Sequence, residues 1–137
     1  MASGGQTAWT NYQVSADVRT NPTNGHAHII ARHQSDSYFY ACGLDHGEGS
    51  SGAQLFLGKV YNGSPYTFGT TPYSFDSTTW YHIEFAVQGD DLYCQVTDPV
   101  TKRTAILHDV ETYFPAGGIG ATGEHAEFDS FVVNRLP

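Results

Sequence analysis

The chain has few of the residues that favour helices and very little positive charge. Its 137 residues include one methionine, two cysteines and six lysines and arginines, against 14 aspartates and glutamates. The formal net charge of −8 argues against nucleic acid as a partner, because a phosphate backbone attracts cationic surfaces. No apolar run approaches the roughly 20 residues needed to cross a bilayer, so we expect no membrane partner either.

Aromatic residues and glycine dominate what is present. Nine tyrosines, eight phenylalanines and 15 glycines favour strands and turns over helices. The length suits one domain with a single hydrophobic core. We assign residues 7–137 to that domain and interpret residues 1–6 as a linker or the start of an expressed segment.

The clearest strand signal lies between Tyr81 and Thr97. Apolar and polar residues alternate over Tyr81–Gln88 and again over Asp91–Thr97, with a Gly-Asp turn between the two runs. Alternation with a period of two predicts strands with one buried face, and the short turn predicts a β-hairpin. Similar patterns elsewhere predict roughly ten strands without intervening helices. The predicted fold class is therefore all-β, an antiparallel β-sandwich or jelly roll.

Both cysteines fall on apolar faces of predicted strands. The simpler interpretation of Cys42 and Cys94 is two small buried thiols. The alternative is a disulfide between them. A disulfide requires Cα atoms roughly 4.4–6.8 Å apart, and because the sequence does not give that distance, both interpretations stay open. His26 and His28 are spaced like two metal ligands, but a structural zinc site needs four ligands and no others can be named.

Several segments share a pattern with one family of β-sandwich proteins. They follow one another along nearly the whole chain, as Trp9–Val18, His28–Gln34, Ser37–Tyr40, Leu57–Gly63, Thr79–Ile83, Gly118–Ala121 and Ala126–Val133. Together they resemble the laminin-G-like, concanavalin A-type jelly rolls that occur beside secreted glycoside hydrolases and polysaccharide lyases. The resemblance implies an extracellular carbohydrate-binding module, covalently linked to a catalytic domain and monomeric. The chain departs from the family pattern at His28, where glycine is usual.

Five polar or aromatic residues on predicted solvent faces form the candidate sugar site: His28, Arg32, Glu84, Tyr93 and Gln95. A guanidinium offers a fork of donors, a phenol ring can stack on the C–H face of a sugar, and carboxylate and amide groups bond to hydroxyls. The resemblance implies that such residues lie on the concave sheet of the sandwich. The alternative is a solvated sheet with ordinary cross-strand pairs.

Two further sets of residues are candidates for binding. The loop tyrosines Tyr61, Tyr66 and Tyr73 form a second possible sugar patch. In related jelly rolls an aspartate at the position of Asp129 helps to hold a structural calcium ion. Asp17 on the first strand would lie near Asp129 if the first and last strands pair, and calcium prefers oxygen ligands. Trp9 and Trp80 are expected to pack at the edge of the core.

The predicted function is carbohydrate binding without catalysis. A glycosidase needs two carboxylates roughly 5–9.5 Å apart, and no spacing in the chain pairs two of them across a cleft. We therefore expect a module that targets a secreted polysaccharide-degrading protein to a polysaccharide or oligosaccharide. One alternative is a small lyase or hydrolase of the same fold, with His28, Arg32 and Tyr93 as base, charge neutraliser and proton donor. Another alternative is an adhesion module that binds protein.

Overall fold

The computed structural model describes residues 2–4, 9–47, 52–111 and 113–137. Within these ranges the chain forms eleven strands and no helix, so no described helix could span a membrane. The strands are β1 (Ala2–Gly4), β2 (Tyr12–Thr20), β3 (His26–Ser35), β4 (Tyr38–Asp45), β5 (Gln54–Tyr61), β6 (Ser64–Pro72), β7 (Tyr81–Gln88), β8 (Asp91–Thr97), β9 (Thr104–Val110), β10 (Gly118–Glu124) and β11 (Ala126–Arg135).

The strands form two antiparallel sheets that pack face to face. One sheet has six strands in the order β1-β10-β3-β4-β5-β6, and the other has five in the order β11-β2-β7-β8-β9. This arrangement confirms the all-β antiparallel sandwich. The strand β1 lies within residues 1–6, for which the sequence predicts a linker: Ala2–Gly4 pairs with β10 at the edge of the larger sheet.

The predicted hairpin is the clearest agreement between pattern and structure. Strands β7 and β8 pair in register, with Ile83 opposite Val96 and Phe85 opposite Cys94. These four side chains are fully buried between the sheets, while the intervening residues face outward. The alternation arises because successive side chains of a strand point to opposite faces.

A disulfide joins the two sheets through the core. Cys42 on β4 and Cys94 on β8 are bonded, with Cα atoms 5.6 Å apart. Both cysteines are fully buried, as expected, but the interpretation of two free thiols is wrong. The physical reason is the packing of β4 against β8, which brings two inward-facing positions of different sheets together.

Strand β3 is buried on both faces. Ala27, Ile29 and Ala31 enter the main core between the sheets. Ile30, on the opposite face, is also fully buried, in a second small cluster with Phe39 and Ala41. A strand buried on both faces gives no polar and apolar alternation, so its pattern cannot show which side chains face solvent.

Candidate functional site

The five predicted sugar-binding residues lie on two different sheets. His28 and Arg32 belong to β3 in the six-stranded sheet, whereas Glu84 lies on β7, and Tyr93 and Gln95 lie on β8, in the five-stranded sheet. The outward faces of two packed sheets point in opposite directions. The five side chains therefore do not line one surface, contrary to the sequence-based prediction.

Arg32 is buried rather than exposed, with a relative exposure of 1%. Its Nε and Nη2 donate hydrogen bonds to the Thr10 carbonyl oxygen at 3.2 and 3.0 Å, and its Nη1 donates to the Phe114 carbonyl oxygen at 3.2 Å. Burial lowers the pKa of its guanidinium. The strand register is irregular after Ala31 and Arg32 has a φ of 48°, which directs its side chain to the end of the sandwich. The prediction that Arg32 faces solvent is wrong.

His28 is also largely buried. Its ring stacks on Phe56 with 4.9 Å between centroids, and the ring of His26 lies 4.9 Å away on the same strand face. Its Nε2 is 3.4 Å from Asp45 Oδ2 and has no hydrogen-bond partner among the described residues. Burial acts to raise the pKa of Asp45, but His28 and the backbone N–H of Gly47 outweigh it and hold that pKa at about 2. His28 therefore packs against its own sheet, where a sugar does not reach Nε2.

Among the described residues, His26 and His28 are not joined by further side chains that could complete a metal site. In the part of the chain that the structure describes, no three His, Cys, Asp or Glu side chains form a group that could hold a metal ion. Two histidines on one strand fall short of the four ligands of a structural zinc site.

Glu84, Tyr93 and Gln95 do share an exposed surface, which we call the Tyr93 face. Glu84 stands directly opposite Gln95 in the register of β7 and β8. The Tyr93 ring stacks on the His108 ring with 4.4 Å between centroids and 9° between planes, and 40% of Tyr93 is exposed. His82 Nε2 lies 3.3 Å from Glu84 Oε1. This face remains a candidate for ligand contact.

The structure pairs β2 with β11, which is the condition under which Asp17 and Asp129 were expected to lie near each other. The two aspartates are register partners on these strands. Asp17 Oδ1 lies 2.9 Å from His82 Nδ1, and Asp129 Oδ1 accepts a hydrogen bond from the Ser130 backbone N–H at 2.8 Å. A calcium ion takes six to eight oxygen ligands, and these two engaged carboxylates do not complete such a set.

Calcium binding at Asp17 and Asp129 stays a prediction that a melting experiment can test. If calcium binds there, chelation with EDTA should lower the melting temperature, because a ligand of the folded state stabilises it. The Asp129→Asn variant should then no longer respond to EDTA. An unchanged melting temperature of the parent protein in EDTA would count against the ion.

The loop tyrosines separate into two places. Tyr61 and Tyr66 flank the turn between β5 and β6 and are 40% and 50% exposed. Tyr73 follows the far end of β6, is only 4% exposed and donates its hydroxyl to the Arg103 carbonyl oxygen at 2.9 Å. Including Tyr73 in a surface patch is therefore wrong, because its ring belongs to the core.

A different tyrosine completes the exposed group. Tyr113, 58% exposed, lies against Tyr61 with 5.3 Å between ring centroids. Lys59 Nζ lies 3.4 Å from the Tyr113 centroid and 5.6 Å from the centroids of Tyr61 and Tyr66. We call Tyr61, Tyr66 and Tyr113, arranged around Lys59, the tyrosine cluster. Cation–π attraction of this kind favours the positions of the rings around the lysine.

Lys59 is itself buried, at 8% exposure, and pairs with Glu111 Oε2 at 3.6 Å. Lys59 and Tyr113 are not among the binding residues predicted from the sequence. One signal was present: Leu55, Leu57 and Lys59 follow a period of two, which places the lysine on the inward side of β5. A lysine at an inward position needs a partner, and aromatic rings or a carboxylate can supply it.

The fold is shared with proteins of known structure. No family model matches the chain, and no curated protein matches it by sequence. Its fold is similar to a carbohydrate binding module, CBM66 from Bacillus subtilis, with a TM-score of 0.75, 17% identity, and coverage of 96% of this chain and 76% of that one. It is also similar to the Caenorhabditis elegans galectin LEC-6, with a TM-score of 0.67, 14% identity, and coverage of 96% and 87%.

A third similar structure is a much larger protein. The xylan beta-1,4-xylosidase from Bacillus halodurans C-125 matches with a TM-score of 0.71 and 10% identity, over 92% of this chain and 28% of that chain. This chain thus spans little more than a quarter of the xylosidase. At these identities the likeness establishes a common β-sandwich fold, and the site has to be argued from the residues of this chain.

Proposed function

We propose that this domain binds a neutral carbohydrate at the tyrosine cluster and catalyses no reaction. The observation that carries the proposal is the grouping of Tyr61, Tyr66 and Tyr113, each at least 40% exposed, around one buried cation. Tyrosine rings offer apolar faces to the C–H groups of a sugar, and their hydroxyls bond to its hydroxyls. The names of a carbohydrate binding module and a galectin among the similar structures support this reading.

The cluster is arranged before any ligand arrives. Lys59 contacts the Tyr113 ring and lies 5.6 Å from the centroids of Tyr61 and Tyr66, and Tyr61 and Tyr113 contact each other edge to face. Tyrosine has only two rotatable side-chain angles, so rings already held in place lose little conformational entropy on binding. We expect modest affinities, with dissociation constants of about 1 µM to 1 mM, because the surface is open.

The charges near the cluster favour a neutral glycan. Lys59 is paired with Glu111, and the guanidinium of Arg32 is buried against two carbonyl oxygens. Neither group is placed to form the charge-assisted bonds that recognise a uronate or sulfate. Acidic polysaccharides should therefore bind no better than neutral ones, and added salt should change the affinity little.

We propose that the domain is a laminin-G-like, concanavalin A-type module and that it forms part of a secreted polysaccharide-degrading protein. A disulfide in the core is typical of proteins that mature in oxidising, extracellular compartments. The partial coverage of the xylosidase is what a module beside a catalytic domain would give. Holding that domain on its polymer would raise the local enzyme concentration.

The three candidate catalytic residues of the enzymatic alternative do not lie together in the structure. His28 and Arg32 are buried on the six-stranded sheet, and Tyr93 faces outward from the five-stranded sheet. A base, a charge neutraliser and a proton donor must all reach one substrate, which these three positions do not allow. A reducing-sugar assay that detected turnover would revive the alternative with other residues.

The tyrosine cluster is tested by comparing two exposed tyrosines on different faces. The Tyr66→Ala variant should weaken glycan binding about tenfold, or 1–2 kcal/mol, because it removes a stacking ring. Tyr93→Ala is the matched control, since Tyr93 is similarly exposed but lies on the other sheet. Both variants should melt within a few degrees of the parent protein. Binding is measured by calorimetry on glycans chosen from an array of plant, algal and bacterial polysaccharides.

Each pattern of results has one meaning. Loss of affinity in Tyr93→Ala but not in Tyr66→Ala would move the site to the Tyr93 face, where Tyr93 stacks on His108. No binding by the parent protein to any glycan on the array would reject the proposed function. Binding to protein ligands instead would favour the adhesion alternative.

A further inference from the structure

A groove of about 500 Å³ opens beside Trp9, outside the tyrosine cluster. It is lined by an indole, polar groups and two aliphatic side chains, contributed by Trp9, Thr10, Asn11, Tyr12, Val133, Arg135 and Leu136. Its residues come from the segment that leads into β2, from the first residue of that strand, and from the end of β11 and the residue after it, and the two strands pair at this end of the sandwich. Nothing in the site described above uses this groove.

The walls of the groove are held by hydrogen bonds. Asn11 Oδ1 accepts from the Gly89 backbone N–H at 2.9 Å, and its carbonyl oxygen accepts from the Leu136 backbone N–H at 3.0 Å. The Trp9 ring packs edge-on against Tyr12 with 5.9 Å between centroids and contacts the main core. Trp9 thus packs at the core edge, as the sequence predicted, and also forms a groove wall. Arg135 is exposed on the other wall.

One short segment lies between the groove and the tyrosine cluster. The Phe114 ring is 6.5 Å from the Tyr61 ring, and the Gly117 backbone N–H donates to the Trp9 carbonyl oxygen at 2.8 Å. Between them, Arg32 donates to the carbonyl oxygens of both Phe114 and Thr10. Residues 114–117 therefore connect the two surfaces through direct contacts, at one end of the sandwich.

The backbone of this segment packs closely against β3 and β4. Gly117 has a φ of 152°, and a Cβ placed on it would lie 2.3 Å from the Arg32 carbonyl carbon. The Phe114 backbone N–H donates to the Tyr40 hydroxyl at 2.9 Å, and burial raises the pKa of that hydroxyl to about 12. These close contacts anchor the segment that lies between the groove and the tyrosine cluster.

We infer that the ligand is an extended glycan chain, which covers the tyrosine cluster with one part and enters the Trp9 groove with another. This inference rests on the proposed function. An indole face suits the C–H groups of a sugar, while Asn11 and Arg135 offer donors to its hydroxyls. A single sugar can occupy only one of the two surfaces, whereas a chain of several sugars gains contacts at both. Affinity should therefore rise with chain length until both surfaces are covered.

The test uses the Arg135→Ala variant and neutral oligosaccharides of increasing length. Arg135 is exposed, so its truncation should leave folding intact. We expect the variant to bind the shortest oligosaccharide as the parent does and the longest at least about fivefold more weakly in calorimetry. Arg19→Ala, which removes a guanidinium paired with Glu127 away from the groove, is the control and should show no length-dependent change.

Trp9 supplies a second measurement that does not depend on Arg135. In a Trp80→Phe background Trp9 is the one remaining tryptophan, so its fluorescence should change with long oligosaccharides and not with the shortest. Glycan binding that is independent of length, insensitive to Arg135→Ala and silent in Trp9 fluorescence would overturn the inference and leave the proposed function standing. Absence of all glycan binding would reject the proposed function itself.

Discussion

Replacing both cysteines, in a Cys42→Ala, Cys94→Ala variant, is expected to lower the free energy of unfolding by about 4 kcal/mol. The bond joins residues separated by 52 positions, and a cross-link over such a loop removes much of the conformational freedom of the unfolded chain. Typical domains have only about 5–15 kcal/mol of stability in total. Urea denaturation of the oxidised parent and the variant measures the difference.

The single variant Cys42→Ala separates the bond from the packing of the sulfur atoms. It leaves one fully buried thiol at Cys94 and should lose nearly as much stability as the double variant, because the cross-link is already gone. Thiol titration of the unfolded parent protein should find no free cysteine. A stability loss below about 1 kcal/mol in the double variant would contradict the constraint that the disulfide is expected to impose.

The fold could be predicted from the sequence because several long strands, β7 and β8 above all, are buried on one face. In β7 buried and less buried residues alternate, and the buried ones are apolar, so the sequence pattern shows which side chains face the core. Strand β3 shows where this information ends. With Ile29 and Ile30 both fully buried, the pattern does not record a face, and His28 was assigned to solvent without a signal to support it.

The candidate site was harder to predict because it depends on contacts between distant residues. Lys59 lies on β5, and Tyr113 follows β9 in the other sheet, yet the ammonium of one lies 3.4 Å from the ring of the other. Such contacts follow from strand order, which alternation does not encode. Tyr66 and Tyr73 are a second example. The sequence predicts both in loops of one patch, but Tyr66 lies near the start of β6 and Tyr73 follows its end, so the two residues lie at opposite ends of the strand.

The burial of Arg32 leads to the second large expected effect. Arg32→Ala should lower the free energy of unfolding by about 3 kcal/mol, because the buried carbonyl oxygen of Phe114 loses its donor, at a cost of roughly 1–3 kcal/mol, and the partly buried carbonyl oxygen of Thr10 loses two hydrogen bonds. The removed side chain also leaves a cavity that the surrounding structure fills only in part. Thermal and urea denaturation measure the loss. The sequence-based view of Arg32 as a solvent-facing ligand contact predicts almost no change in stability.

Two further variants decide between these views. Arg19→Ala removes an arginine whose ion pair with Glu127 is partly exposed, and it should cost less than about 1 kcal/mol. Arg32→Lys keeps the charge, but a single ammonium cannot reproduce the planar fork that reaches both carbonyl oxygens, so we expect it to recover only part of the stability. Arg32 joins the segment at Phe114, beside the tyrosine cluster, to the segment at Thr10, in the Trp9 groove. Arg32→Ala should therefore also weaken binding of long oligosaccharides. Melting curves of Arg32→Ala and the parent protein that coincide would show that these hydrogen bonds do not hold this end of the sandwich together.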